Sequence, residues 1–211
     1  MTDDAPARFI SIEGGEGAGK STQARLLAGA LERRGISVVM TREPGGTPGA
    51  EALRSLLLDN AYDWNARSEA LLFAAARADH VAHLIRPALD EGRWVISDRF
   101  LDSSRAYQGG NDGLSDEDIV SLHRIGSGAL LPDLTIWLSL DPDEGALRAK
   151  RRDGDSSDRI GGRNAGYHRQ VDAAFASFAE AEPHRVRRVD AAGSPEEVHA
   201  RILDTIAELL P

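Results

Sequence analysis

The sequence predicts an α/β fold with three layers, in which a five-stranded parallel sheet is flanked by helices on both faces. Five short apolar segments alternate with stretches of helical period, which is the order expected for a parallel sheet. The apolar segments contain few polar residues, as is typical of strands covered on both faces. Ligands of such sheets bind beyond the carboxyl ends of the strands, so the residues that follow each strand are the first candidates for a site.

The elements are predicted from apolar periodicity and from the glycine and proline residues between them. Strands are predicted at residues 9–13, 37–41, 94–98, 134–140 and 186–190. Helices are predicted at residues 20–34, 49–59, 64–91, 115–130, 142–152, 164–181 and 194–210. Two polar stretches that contain glycine, 109–114 and 153–166, are predicted to be loops. The second follows a basic cluster, which makes residues 148–166 a candidate mobile lid.

Length and composition indicate a single domain over residues 1–211. A chain of this size buries about 70% of its unfolded surface without disulfides, and this one has no cysteine, which fits the cytoplasm. Residues 1–8 are expected to be flexible, and no apolar run approaches the roughly 18 residues of a membrane span. The net charge of −9 argues against nucleic-acid and membrane partners, so local arginines must hold any anionic ligand.

A glycine-rich segment between the first strand and the first helix has the pattern GxxxxGK[ST]. Glycines let backbone N–H groups point at phosphate oxygens, the lysine reaches the β- and γ-phosphates, and the hydroxyl can bind Mg²⁺. The helix N-terminus adds positive potential. An ordinary turn has no need of the Lys-Ser pair, so the segment predicts a P-loop nucleotide site. Its residues are Gly14, Gly15, Glu16, Gly17, Ala18, Gly19, Lys20, Ser21 and Thr22, with Lys20 catalytic and Ser21 a metal ligand.

Charged residues follow the second and third predicted strands. Asp98 and Arg99 lie at the end of the third strand, where the carboxylate can hold Mg²⁺ through water and the guanidinium can bind a phosphate. A surface ion pair would explain the two residues alone, but the neighbouring phosphate loop favours function. Arg42 and Glu43 follow the second strand and precede a Pro-Gly-Gly turn that does not itself require two charges.

Three residues on predicted helices have simple structural explanations. Phe73 and Arg77 are four residues apart and share a helix face, where a ring can stack on a base and a guanidinium can bind its edge. Apolar helical stripes usually form core, so the residues alone favour packing for Phe73 and a solvated side chain for Arg77. Arg54 has Glu51 three residues before it, which offers an ordinary surface pair.

The helix that leads into the candidate lid ends in a basic cluster. Such residues complement the negative end of the helix dipole. In a phosphotransferase, a lid arginine placed over the transferred phosphoryl group would stabilise its charge, so both interpretations stay open. The cluster consists of Arg148, Lys150, Arg151 and Arg152. The scattered histidines have no metal-binding spacing and are interpreted as ordinary surface or core residues; they are His123, His168, His184 and His199.

Several segments follow one another in a specific order along the chain. They are Glu13-Gly14 and Glu16-Gly17-Ala18-Gly19-Lys20-Ser21-Thr22, Thr41-Arg42-Glu43-Pro44-Gly45-Gly46-Thr47, Leu72-Phe73-Ala74-Ala75-Ala76-Arg77, Asp98-Arg99-Phe100, Asp102-Ser103-Ser104-Arg105-Ala106-Tyr107-Gln108-Gly109, Pro132-Asp133-Leu134-Thr135 and Asp158-Arg159-Ile160. Together they closely resemble the motifs of bacterial thymidylate kinase (dTMP kinase), from Arg8 to the C-terminal helix. The resemblance implies a cytoplasmic, homodimeric P-loop kinase that uses MgATP and dTMP to make dTDP and ADP for dTTP synthesis.

The resemblance also implies how the thymine base is bound. Phe73 would stack on the base, and Arg77 would hydrogen-bond to its O4 edge. Ser104 and Gln108 would address the base near N3, and Pro44 would lie close to the 5-methyl group.

Further residues are implied to bind the rest of dTMP. Arg54 and Arg99 would hold its phosphate, Arg99 also acting in catalysis. Tyr107 would crowd the 2′ side of the sugar, and Glu16 would lie near the 3′-hydroxyl. Glu43 completes the predicted dTMP-binding set.

Glu16 in the loop, combined with a basic lid, resembles the bacterial subclass whose catalytic arginine comes from the lid. Arg151 and Arg152 are then the expected catalytic residues, and the sequence leaves Arg148 and Arg159 open as alternatives. Relatives usually carry an acidic residue directly after Asp-Arg-x in the lid, whereas glycines occupy positions 161 and 162 here. This departure leaves an acidic lid contact unassigned and predicts a looser lid.

Two other functions compete with this hypothesis. A GTP-dependent switch protein would read guanine through an Asn-Lys-x-Asp motif, and no asparagine precedes a lysine in this sequence. A kinase for a different nucleoside monophosphate or a small metabolite is disfavoured only by the resemblance of the base-binding residues.

Overall fold

The computed structural model describes residues 6–110, 114–153, 159–161 and 163–210. Within these residues, five strands form a parallel sheet in the order β2-β3-β1-β4-β5. The first strand is therefore central, and the segment that follows it begins at the carboxyl end of the middle strand. The predicted parallel α/β sheet is confirmed. The strands are β1 (Phe9–Gly14), β2 (Val38–Arg42), β3 (Trp94–Asp98), β4 (Leu134–Ser139) and β5 (Val186–Asp190).

Helices cover both faces of the sheet, and several begin at a side chain that caps the first turn. Thr47, Asn65, Ser115 and Ser194 each accept a backbone N–H three residues later, which satisfies a donor that has no partner within the helix. None of the described helices has the length and apolar character needed to cross a membrane. The helices are α1 (Lys20–Glu32), α2 (Pro48–Leu58), α3 (Ala66–His80), α4 (Arg86–Asp90), α5 (Leu101–Gln108), α6 (Asp116–Ser127), α7 (Pro142–Asp153), α8 (Ala165–Ala181) and α9 (Pro195–Thr205).

Two features differ from the sequence prediction. Helix α5 was not predicted, because its buried side chains are largely polar and give no apolar period. The buried polar residues are Asp102, Ser103, Ser104 and Gln108. The long helix predicted at 64–91 is interrupted by a π-turn, Val81–Ile85. Proline at position 87 has no N–H to donate four residues back, which favours a widened turn at this point.

The core consists of two apolar layers on opposite faces of β1. Ile10 and Ile12 point into a cluster with Leu27 of α1 and Ile202 of α9. Phe9 points to the other face and packs among residues of the α3–α6 layer, including an edge-to-face contact with Phe100 at 4.8 Å. This alternation along β1 gives a sheet that is covered on both sides, as the apolar strands predicted.

Candidate active site

The carboxyl ends of β1, β2 and β3 open into a cavity of about 490 Å³. All ten residues predicted to bind dTMP line it, together with Lys20 and the two predicted metal ligands, Ser21 and Asp98. Of the phosphate-loop residues, Gly14, Gly15 and Ala18 are not in the lining. The fold thus brings the predicted donor and acceptor sites together in one cavity.

Lys20 begins α1 and is held by the loop that precedes it. Its Nζ donates to the carbonyl oxygen of Gly15 at 2.6 Å and to that of Gly14 at 3.1 Å. Burial, with a smaller contribution from the Arg99 guanidinium, lowers the pKa of Lys20 to about 7. Gly19 has a φ of 90°, a conformation that glycine adopts without steric penalty. The loop therefore positions a buried amine whose charge depends on its surroundings.

The back of the phosphate loop packs directly on the first turn of α7. A β-carbon at Gly17, where φ is 71°, would lie 2.1 Å from the carbonyl oxygen of Gly145. A β-carbon at Gly145 would lie 2.6 Å from the carbonyl oxygen of Glu16. Both positions therefore require glycine. Sequence reasoning did not single out Gly145, since only the tertiary structure places it against the loop.

The residues after β3 connect the loop to the acceptor side. The Ser21 hydroxyl donates to the Asp98 carboxylate, so two hard oxygen ligands lie side by side. Arg99 adopts a φ of 72°, which is unusual for a non-glycine residue. Its guanidinium lies 4.9 Å from the centre of the Tyr107 ring and donates to Ser103 Oγ at 3.0 Å. Arg99 is thus aimed into the cavity by several contacts.

Glu13 is a fully buried carboxyl group that holds the Arg99 turn in place. It accepts the N–H of Phe100 at 2.7 Å and the hydroxyl of Ser103 at 2.5 Å. Burial, and secondly the charge of Asp102, raise the pKa of Glu13 to about 7. The sequence signal for this role was weak, consisting of one acid within an apolar strand.

The innermost wall of the acceptor side is a buried polar network. Arg77 is 2% exposed and donates from Nε to Glu43 at 2.8 Å and from Nη2 to Ser104 Oγ at 2.8 Å. Glu43 also contacts Nδ1 of His80 at 3.1 Å, and His80 Nε2 lies 2.7 Å from the Thr41 hydroxyl. His80 was missed at the sequence level because a single histidine in a helix has no local signature. Its contacts fix the Glu43 carboxylate that in turn orients Arg77.

Phe73 and Arg54, which like Arg77 had simple structural explanations in the sequence, also line the cavity. Phe73 is only partly buried and lines the cavity, and it does not belong to the buried apolar core. Arg54 donates to the carbonyl oxygen of Pro44 at 2.7 Å. Glu51, the surface partner considered for Arg54, pairs with Arg42 at 3.1 Å.

The arginines at the two ends of the lid have different surroundings. Arg148 pairs with Glu144 at 2.6 Å, on its own helix. Arg159 pairs with Glu69 of α3 at 2.6 Å. Arg151 is exposed on α7 and does not line the cavity. The predictions for Arg152 and Asp158 concern a side chain and a residue that lie outside the described part of the chain.

The glycine at position 161, where relatives usually carry an acidic residue, lies close to Glu16 in the structure. Gly161 lines the cavity, and a β-carbon there would lie 2.9 Å from Oε2 of Glu16. An acidic side chain at this position would face the Glu16 carboxylate at close range. His168, which the sequence gave no reason to select, also lines the cavity, with Nε2 3.4 Å from the Gly161 carbonyl oxygen.

The cavity has the opposite charge balance from the whole chain. Its acidic residues are Glu16, Glu43 and Asp98. Six cationic residues outnumber them, although the chain carries a net charge of −9. The expectation that local arginines hold an anionic ligand therefore has a structural basis. The cationic residues are Lys20, Arg25, Arg42, Arg54, Arg77 and Arg99.

Comparison with known proteins decides between the phosphate-binding families compatible with this geometry. The family model described as thymidylate kinase matches residues 12–202. The chain belongs to the thymidylate kinase family. A thymidylate kinase from Rhizorhabdus wittichii is 58% identical over 207 residues, covering 98% of this chain and 100% of the relative. One from Symbiobacterium thermophilum is 48% identical and covers 96% of this chain and 94% of the relative.

A solved structure agrees with the sequence comparison. The crystal structure of thymidylate kinase from Ehrlichia chaffeensis superposes with a TM-score of 0.75 at 32% identity, covering 95% of this chain and 99% of that chain. The family and the P-loop fold inferred from the ordered motifs are therefore confirmed. Gly145, His80 and Arg25 are candidate site residues that sequence reasoning did not select, and Glu13 entered it only as part of a motif.

Proposed function

We propose that the cavity transfers the γ-phosphoryl group of ATP to dTMP, giving dTDP and ADP. The observation that carries the proposal is a single cavity in which the phosphate loop faces a pocket walled by Phe73, Arg77 and Ser104. Thymidylate kinase is the family name of the chain and of its relatives. The geometry matches that reaction, since donor and acceptor phosphates must lie side by side for transfer.

On the donor side, the loop from Gly14 to Thr22 would cradle the ATP phosphates and Lys20 would neutralise them. Ser21 and Asp98 are oxygen ligands of the kind that Mg²⁺ prefers, and their contact supports a shared site. A bound Mg²⁺ would neutralise charge on the β- and γ-phosphates. Arg25, which also lines the cavity, adds positive charge at the same end.

On the acceptor side, Arg54 and Arg99 would hold the dTMP phosphate. A phosphate oxygen of dTMP is already anionic near neutral pH, so it can attack without a strong general base. Catalysis then consists of alignment and charge neutralisation. Arg151 and Arg152 are the proposed lid donors of a catalytic guanidinium, which is consistent with the pairing of Arg148 and Arg159 to other residues.

The base and sugar contacts follow the walls of the same pocket. Phe73 would stack on thymine, Arg77 would bind O4, and Ser104 and Gln108 would bind near N3. Pro44 would contact the 5-methyl group. The sugar would meet the two residues already predicted for it, Tyr107 and Glu16, and Glu43 would act through Arg77.

We infer a homodimer formed through α3 and α6, which pack side by side. Three apolar residues of these helices are exposed: Ile125 is 80% exposed, Leu71 55% and Val120 39%. An Ile125→Glu variant should become monomeric in light scattering coupled to gel filtration, with its thermal midpoint measured alongside. A monomeric wild-type protein would reject the dimer.

The experiment that tests the activity measures ADP release from MgATP with dTMP, dUMP, dCMP, dGMP, dAMP and UMP offered separately. Preference for dTMP by about one to two orders of magnitude in kcat/KM is expected from a methyl contact plus a fitted polar edge. Equal rates with every acceptor would remove the base-pocket assignment. Hydrolysis without acceptor, or stronger stabilisation by GTP than by ATP, would favour a nucleotide switch instead.

A further inference from the structure

Glu69 on α3 contacts one residue of the cavity wall, Gln108, and two arginines of the lid. Its side chain is 2% exposed. Oε1 accepts the Gln108 side-chain amide at 2.9 Å. Oε2 accepts from Arg159 at 2.6 Å and from Arg163 at 2.7 Å. Glu69 does not line the main cavity, but it and Gln108 both line a smaller neighbouring cavity of about 340 Å³.

These contacts fix the direction of the Gln108 amide. A carboxylate paired with two guanidinium groups can only accept hydrogen bonds. Gln108 must therefore turn its NH₂ group toward Glu69, which leaves the amide oxygen for the main cavity, where Gln108 is part of the wall. Without Glu69, the amide could present either its oxygen or its NH₂ group, since the two ends have nearly the same shape.

We propose that Glu69 is a positioning residue that sets the hydrogen-bond polarity of the acceptor pocket. Acting through Gln108, it selects a base that carries an N–H group at the facing ring position, as thymine does at N3. It rejects a base with a lone pair there, such as cytosine. This inference rests on the proposed function. It adds a selection step that no residue in direct contact with the base provides alone.

The lid arginines give the carboxylate a second function in the same network. Arg159 also donates to the carbonyl oxygen of Leu57 at 3.1 Å, so the described end of the lid is bound to both α2 and α3. The two guanidinium groups share Oε2 of Glu69, while Oε1 faces Gln108. One carboxylate therefore both orients the Gln108 amide and pairs with the lid arginines.

The test compares kcat/KM for dTMP with that for 5-methyl-dCMP, which keeps the methyl group but has an acceptor at N3 and an amino group at position 4. In Glu69→Gln, the preference for dTMP should fall about ten-fold, because Gln108 can now turn its NH₂ group toward the base. The matched control is Arg163→Ala, which removes a lid contact and leaves the carboxylate facing Gln108. Its preference should equal that of the wild type even if its turnover changes.

A double-mutant cycle separates positioning from a purely structural role. In a Gln108→Leu background, Glu69→Gln should leave the remaining preference unchanged, since the residue through which it acts is gone. An unchanged preference in Glu69→Gln alone, or an equal effect in both backgrounds, would overturn the inference. Failure of the wild type to phosphorylate dTMP would instead reject the proposed function.

A measurement on the wild type keeps the inference testable if Glu69→Gln does not fold. The N3–H group of 5-fluoro-dUMP ionises at lower pH than that of dTMP. Its kcat/KM relative to dTMP should therefore decrease as pH rises through that ionisation, because an amide oxygen requires the proton at N3. A constant ratio would show that Gln108 does not present its oxygen, and would overturn the proposal.

Discussion

At the scale of single residues, the lowered pKa of Lys20 predicts that nucleotide binding depends on pH. Its pKa is lowered to about 7, first by burial and then by Arg99. Phosphates beside the amine favour its charged form and raise the pKa again. Binding above pH 7 is therefore expected to take up a proton, and affinity for MgATP should fall as pH rises further. Calorimetry at pH 8 with a non-hydrolysable ATP analogue, in buffers of different ionisation enthalpy, should show uptake of close to one proton.

The matched control is Lys20→Arg, because a guanidinium stays protonated at pH 8 and should bind without proton uptake. Identical heats in all buffers for the wild type would contradict the lowered pKa.

Lys20→Ala is expected to abolish turnover. A folded Lys20→Ala protein with near-normal turnover would remove the phosphate-loop assignment.

Phe73 provides a separate test of the acceptor pocket. Its ring lies in the cavity wall and not in the core, so Phe73→Ala should raise the KM for dTMP about ten-fold or more and leave the KM for ATP nearly unchanged. Phe73→Leu keeps apolar volume without a ring and should show most of the same effect if stacking dominates. Equal increases in both KM values, with a lower thermal midpoint, would instead mean that Phe73 acts by packing.

Residue-level prediction succeeded where a motif carried the chemistry and failed where tertiary neighbours supplied it. Lys20 and Ser21 have a fixed spacing that the phosphate loop requires. His80 and Glu69 have none, because the groups they contact, Glu43 and Gln108, are 37 and 39 residues away in sequence. No local pattern encodes a contact of that range. Their roles became visible only with the fold.

At the scale of elements, the contact between the phosphate loop and α7 connects the site to the lid. Gly17→Ala would place a β-carbon 2.1 Å from the Gly145 carbonyl oxygen, which is backbone and cannot move alone. The loop should therefore shift, and the thermal stabilisation given by MgATP should be lost. The measurement is the change in Tm with and without MgATP.

Gly35→Ala is the control for this prediction. Gly35 has a similar φ of 79°, but a β-carbon there would meet no atom within 4 Å. Both variants should lose about 1 kcal/mol from the strained backbone, and Gly35→Ala should keep the full response to MgATP. An equal response in the two variants would mean that the loop does not depend on α7.

Element prediction also had a physical limit. The five strands were located because doubly covered strands are apolar throughout, and their observed bounds differ from the predicted ones by one residue at most. Helix α5 was missed because it buries polar groups that bind other parts of the site, such as Ser103 to Glu13 and Asp102 to Arg185. A helix whose inner face serves the site does not follow the usual apolar period.

At the scale of the whole molecule, charge is separated between surface and interior. The chain is acidic overall, whereas the cavity wall is basic. Away from the cavity, a cluster of two acidic and two basic side chains joins α5, the end of α8 and the residue before β5. In that cluster, Asp102 is 0% exposed and binds Arg185 at 2.6 Å and Arg105 at 3.0 Å. Glu182 contacts both arginines at 2.7 Å. The cluster connects α5, which contributes to the cavity wall, to the start of β5 at the edge of the sheet.

Asp102→Asn is therefore expected to destabilise the fold without removing any residue of the cavity wall. Burial alone would raise the pKa of Asp102, but hydrogen bonds and charge from Arg185 outweigh it and hold that pKa below 3.8. A lowered pKa adds stability that is present above pH 4 and is lost as pH falls through the folded-state value. The variant should lose about 3 kcal/mol in urea unfolding at pH 7, because two largely buried guanidinium groups lose their fully buried partner, although Glu182 still pairs with both. The difference from wild type should shrink under acid conditions.

The control, Glu208→Gln, removes an exposed partner of Arg187 and should change stability by less than about 1 kcal/mol. Equal losses in the two variants would show that the buried cluster does not carry this stability.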